Sequence, residues 1–339
     1  MRNSRGTHWP SQPPAAIRLP AARNPIVAAM VSVAILTAIA GAAPPPPKVN
    51  KSAGPTAIHV PFWPEQAREA SKEALTATLN GKPTPIAKLL SPDDDLLLLT
   101  VLDLTGDLSL ADPAREALIE QWNRLPANVE VGVMRAQDGL SVIADPGSAP
   151  DKLAEAIRAV PVNGFAGLLD TVETTVNLAD GILRKANVRV AVLYVTDSSI
   201  QNYRADYTNP VVNSSDSRDM SRRFPEGLVK EQIGKILGKL ARTQAPLFIV
   251  HLAYRNDRLN EAYQTGLIDI AAATGGATQY CRTPADVPGA IGGAMARILA
   301  HQSAEIQLPA KAGSGPLEVI LSAKGLVLRH RTRFELEKR

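Results

Sequence analysis

Residues Leu96–Asp107, LLLLTVLDLTGD, decide how the rest of the chain is read. Leu96–Leu99 with Val101 and Leu102 form an unbroken apolar run of strand length, the pattern of a strand covered on both faces in a parallel sheet. Asp103, Thr105 and Asp107 follow in the turn, ahead of a helix expected to start near Asp112-Pro113. Loops at the carboxyl ends of strands in open α/β sheets are where ligands bind. Three oxygen-bearing side chains at alternating positions there suit either a hard cation with its water shell or an ordinary strand-to-helix turn with a helix cap.

Working outward, the same alternation of types repeats. Strands are predicted over Val129–Met134, Ser141–Ala144, Val188–Thr196, Pro246–Ala253 and Ala277–Cys281. Helices are predicted over Ala114–Leu125, Asp151–Val160, Gly167–Lys185, Pro225–Thr243, Arg258–Thr274 and Asp286–Ala300, with Gly275-Gly276 as a C-cap. The expected fold class is therefore α/β, a doubly wound, mostly parallel sheet flanked by helices, over about residues 91–302. Val188–Thr196 (VRVAVLYVT) is the clearest buried strand after the first, and it too ends at an aspartate, Asp197.

The flanks differ. Residues 44–73 read as a proline-led linker and a weak helix over Glu65–Glu73. Residues 74–90 alternate about Asn80-Gly81, a hairpin signal. Residues 303–339 hold three predicted strands, Ala304–Leu308, Leu317–Leu321 and Leu326–Leu336. In the last, Leu326, Leu328, Phe334 and Leu336 share one face and Arg329, Arg331 and Arg333 the other, a solvated row. The hairpin and these strands are expected to make a small antiparallel β appendage beside the sheet.

Residues 1–43 carry four arginines, no acidic side chain, and an uncharged apolar run from Ile26 to Ala40 before Ala40-Gly41-Ala42. This is the build of an export signal, with an uncleaved N-terminal anchor as the other outcome, and it is the one route to a membrane. It implies a periplasmic, envelope or extracellular setting. Without those arginines, 33 basic residues face 33 acidic ones, so the formal charge of +4 belongs to the targeting segment and gives no nucleic-acid footprint. Cys281, the single cysteine, excludes an internal disulfide and reads as a small buried residue. His8, His59, His251, His301 and His330 lack metal-ligand spacing, and Ser198-Ser199 lacks a nucleophile-elbow context, so no catalytic residue is assigned. Ser198–Phe224 is a long polar loop leaving the same sheet edge as Asp103, which makes it a candidate overhang for that site.

Taken together, Asp103-x-Thr105-x-Asp107 after an apolar strand, then Thr196-Asp197 after a second, resembles a von Willebrand factor type A domain. LNGKPTPIAKLL, ATGGATQY and GLVLRHRTRF are similar to segments of the exported bacterial "VWFA-related" Acidobacterial-type proteins. The resemblance covers about residues 74–336. It implies a metal-ion-dependent adhesion site in which Asp103, Thr105 and Asp197 hold Mg²⁺, Mn²⁺ or Ca²⁺ and a partner protein's carboxylate completes the shell. Tyr203, Arg204, Tyr207, Arg222 and Arg223 would then rim the site as partner-binding residues. Two positions depart from the family pattern. Asp107 stands where a second serine belongs, and Ala166, in Gly164–Asp170, stands where the family has threonine. Three outcomes follow: Asp107 ligates a cation directly, Asp107 fills the place of a partner's carboxylate, or the site holds no ion.

The implied function is a non-enzymatic protein-interaction module. DLTGDLS also resembles the aspartyl-phosphate loop of haloacid-dehalogenase-type hydrolases, in which Asp103 would be a nucleophile in phosphoryl transfer. A purely structural envelope protein is the third reading.

Overall fold

The computed structural model describes residues 57–66, 69–208, 225–309 and 314–336. The predicted signal of residues 1–43 lies outside them. Among the described residues no helix is long and apolar enough to cross a membrane.

The centre is β5 (Leu96–Asp103), every residue of which is buried. Its side chains split by parity. Leu97, Leu99 and Val101 enter one core, and Leu96, Leu98 and Leu102 enter the other. Parallel neighbours lie on both sides, β6 (Val129–Arg135) and β8 (Arg189–Thr196). The sheet continues through β9 (Leu247–His251) to β10 (Thr278–Tyr280) on one side, and ends at antiparallel β7 (Ser141–Ala144) on the other. One face is covered by α3 (Leu168–Leu183), α4 (Pro225–Leu240) and α5 (Arg258–Thr274). The other is covered by α1 (Leu108–Trp122), α2 (Pro150–Ala159) and α6 (Val287–Ala300). The chain steps from β5 outward to β6 and β7, then returns across β5 to β8. The order therefore reverses between β5 and β8, and the carboxyl ends of these two strands carry Asp103 and Asp197.

Two further four-stranded sheets enclose a third core. One runs β13 (Leu328–His330), β1 (Ala57–Pro64), β11 (Gln302–Gln307), β4 (Ile86–Leu90). The other runs β14 (Arg333–Leu336), β12 (Gly315–Ala323), β2 (Leu75–Leu79), β3 (Lys82–Thr84). Asn80 (φ 47) and Gly81 (φ 75) are both left-handed, as a two-residue hairpin between β2 and β3 requires.

Several sequence expectations change. β1 lies where the sequence predicts linker, and the described residues of Glu65–Glu73 form bends and a turn, not a helix. Helix α1 begins at Leu108, ahead of Asp112-Pro113, because the Asp107 side chain caps it; Pro113 is carried inside. The expected strand Leu326–Leu336 divides between two sheets. The crossing turns Arg331 inward to 8% exposure, where its guanidinium donates to the Leu240, Ala241, Thr243 and Arg333 carbonyls. It closes the C-terminus of α4 and does not belong to a solvated row.

Candidate functional site at the switch point

Asp103 is 0% exposed and Asp197 2%. Among the described residues neither makes an ion pair, so main-chain N–H groups and hydroxyls must hold both carboxylates. Asp103 Oδ1 accepts from the Gly167 amide at 2.8 Å. Its Oδ2 accepts from the Leu168 amide at 3.2 Å and the Thr196 hydroxyl at 3.1 Å. Gly167 and Leu168 open α3, so the carboxylate occupies the helix N-terminus, where unpaired N–H groups and the dipole favour an anion. The approach needs a glycine: a Cβ on Gly167 would stand 1.9 Å from the Ala136 carbonyl oxygen. Burial pushes the Asp103 carboxyl up to about 6, against the pull of the Gly167 amide and the Thr196 hydroxyl, and the charge of Asp197 adds to the rise.

Asp197 closes the other turn. Its Oδ1 accepts from the Thr105 amide at 2.6 Å and the Thr105 hydroxyl at 2.9 Å, and its Oδ2 from the Asp107 amide at 3.1 Å. Asp107 in turn caps α1, its Oδ1 accepting from the Ser109 amide at 3.0 Å and the Ser109 hydroxyl at 2.6 Å. Each acid thus fastens the start of a neighbouring turn or helix. Beneath them a buried hydroxyl chain links Thr196 to Ser198, Tyr263 and Tyr203, and Tyr203 accepts from the Leu169 amide.

The structure brings Asp103, Thr105, Asp107 and Asp197 to one turn cluster, as their sequence positions require. The donor set does not suit a divalent ion. Asp107 turns its Oδ1 to its own helix, and Ala166 supplies no side-chain oxygen, so one direct ligand of the implied site is missing. Among the described residues no group of three or more His, Cys, Asp or Glu side chains is placed to hold a metal. A small octahedral ion tolerates the loss of a direct ligand poorly.

The expected rim divides. Tyr203 is core, paired backbone to backbone with Ala166 and stacked edge-on against Tyr263. Tyr207 is half-buried and bonds Asp170. Arg204 is exposed, pairs with Asp138 at 3.0 Å, and lies 5.0 Å over the Phe165 ring. Arg222 and Arg223 lie outside the described residues. What this edge exposes instead is apolar: Leu108 at 60%, Phe165 at 46% and Tyr254 at 37%, with Arg282 over the Tyr254 ring. The sequence carried one signal for these, a bulky Phe165 set among small residues in Gly164–Gly167, where a loop needs no apolar side chain.

No family model and no curated protein matches the chain. Among solved structures it is similar to von Willebrand factor type A from Catenulispora acidiphila, at 11% identity and TM-score 0.41, covering 86% of this chain and 75% of that one. It is also similar to an aerotolerance-related membrane protein from Bacteroides fragilis NCTC 9343, at 14% identity and TM-score 0.37, covering 60% of this chain and 98% of that one. A third is proximal thread matrix protein 1 from the mussel byssus with a zinc-occupied MIDAS motif, at 11% identity and TM-score 0.40, covering 64% and 48%. These are likenesses of fold alone. The strand order, the reversal at β5/β8 and the two strand-end aspartates are those of an open, doubly wound α/β sheet with acids at its switch point.

Proposed function

We propose that the chain is an exported, non-enzymatic protein-interaction module of the von Willebrand A type that engages its partner without a divalent cation. The observation that carries this reading is the engagement of the Asp103 and Asp197 carboxylates by the protein's own donors, at an edge that exposes Leu108, Phe165 and Tyr254. Aromatic side chains and arginines of this kind anchor protein interfaces, whose affinity rests on a few desolvated contacts. The export signal of residues 1–43 supports the setting. Phosphoryl transfer is disfavoured because Asp103 is closed to solvent and both of its oxygens accept hydrogen bonds.

Calorimetric titration of Mg²⁺, Mn²⁺ and Ca²⁺ into the metal-stripped chain tests the metal-independent reading. The expected result is no saturable heat in the natural protein. The double substitution Asp107→Ser with Ala166→Thr, which restores the two hydroxyl positions of the adhesion-site pattern, is expected to gain one-to-one binding. Saturable binding by the natural protein that is lost in Asp103→Ala would overturn the proposal, and phosphatase activity lost in Asp103→Asn would revive the hydrolase.

A further inference from the structure

At the opposite, amino edge of the parallel strands, an open cleft of about 750 Å³ lies between β1 and the ends of α5 and α6. Trp63 forms one side, Ala272, Ala296 and Ala300 line the helices, and Phe248 lies at the base. The indole is fixed in place. Its Nε1 donates to the Arg297 carbonyl at 2.7 Å, and its ring meets Phe248 edge-on, centroids 5.7 Å apart at 82°. The connection from α5 to β10, Gly275-Gly276-Ala277, brings only small residues to the cleft. Gly275 takes φ 87 to end the helix, and a Cβ on Gly276 would stand 1.8 Å from the Leu247 carbonyl oxygen.

The cleft's charged side chains are unbalanced. Arg329 pairs with Glu65 at 2.6 Å, and Arg331 spends its guanidinium on carbonyls. The exposed Arg297 side chain has no carboxylate partner among the described residues. One guanidinium is thus left for an incoming group, and it matches a single negative charge. A carboxylate fits the planar fork of an arginine. The volume lies in the range of small-molecule sites, which favour apolar walls, few polar groups and seams between structural units.

We infer that this cleft binds a small amphiphilic monocarboxylate, its apolar body along Trp63 and the alanine-lined helices and its carboxylate on Arg297. The inference does not depend on the switch-point reading, since the two sites lie at opposite edges of the sheet.

Dodecanoate, kept below its micellar concentration, is titrated into the full chain by calorimetry and by tryptophan fluorescence. Dodecyltrimethylammonium, which has the same tail and the opposite charge, serves as the control. One-to-one dodecanoate binding is expected, without saturable binding of the ammonium compound. Arg297→Gln weakens binding up to about fivefold, the scale of one exposed ion pair. Ala272→Leu and Ala296→Leu, both at exposed helix positions, weaken it at least about tenfold by filling the cleft. Absence of saturable dodecanoate binding overturns the inference. So does equal binding of both head groups, or unchanged affinity in both filled variants.

Discussion

At its two edges the central sheet buries Asp103 with Asp197 and Arg189 with Arg331, all four satisfied by main-chain groups, while Asp180 at the amino edge takes the Gln244 and Ala245 amides and pairs with Arg184. At the carboxyl edge, Asp103 and Asp197 are held by main-chain N–H groups of Gly167, Leu168, Thr105 and Asp107. At the amino edge, Arg189 donates to the carbonyls of Pro92, Asp94, Leu299 and His301, and Arg331 to those of Leu240, Ala241, Thr243 and Arg333. Helices in a parallel α/β fold run opposite to the strands, so their N-termini gather at one edge and their C-termini at the other. The backbone therefore offers donors to Asp103 and Asp197 and acceptors to Arg189 and Arg331. A buried charge can be satisfied by aligned peptide dipoles without a counter-ion, and a pair of buried carboxylates need not imply a metal.

The strongest way to break this parallel is Arg189→Leu. The side chain is fully buried, and its loss removes the side-chain donor of the Leu299 and His301 carbonyls and leaves those of Pro92 and Asp94 to the Asn128 amide alone. Urea unfolding is expected to show a loss of about 4 kcal/mol. A loss under about 1 kcal/mol would mean that the amino edge does not rely on its guanidinium.

The second test sets the edges apart by pH. Folding raises the Asp103 carboxyl from an ordinary 3.8 to about 6, so the fold favours the protonated acid. Its stabilising contribution is therefore complete below pH 3.8 and declines as pH rises through about 6. Measured against Asp103→Asn, the relative stability of the natural protein should fall by about 2 kcal/mol between pH 4 and pH 7. Burial lowers Arg189 only to about 10, so this side chain stays charged across the range. A difference that is flat or rises with pH would mean that the amide donors outweigh burial at Asp103.

The smallest expected effect concerns Asp107. Asp107→Ala removes the cap of α1 and should cost about 1 kcal/mol, while Asp107→Ser keeps a capping oxygen and should cost a few tenths. Equal losses in thermal unfolding would show that the carboxylate does more at this turn than cap the helix.

Local pattern made much of this protein legible. LLLLTVLD and VRVAVLYVT read as strands because a parallel strand covered on both faces must be apolar throughout. Asn80-Gly81 and Gly275 read as a hairpin turn and a helix cap because few residues tolerate their backbone angles. The strand-end acids were visible for the same local reason, since polar side chains must leave a buried strand at its end. Other features had no local signal. AIHVPFWP, with prolines at 61 and 64, gains strand character only from pairing with residues 302–307 and 328–330, more than two hundred positions away. Tyr203 reads as a loop aromatic until Ala166 and Tyr263 enclose it, and Arg331 reads as one of an exposed row until its strand changes sheets.

The sequence alone determined the alternation of elements and the acids at the ends of two strands, because these follow from burial and backbone angle one segment at a time. Only the tertiary structure decided what those acids do, because the carboxylate of Asp103 is satisfied by amides 64 and 65 residues distant. A hydrogen bond between remote segments leaves no periodicity in the chain.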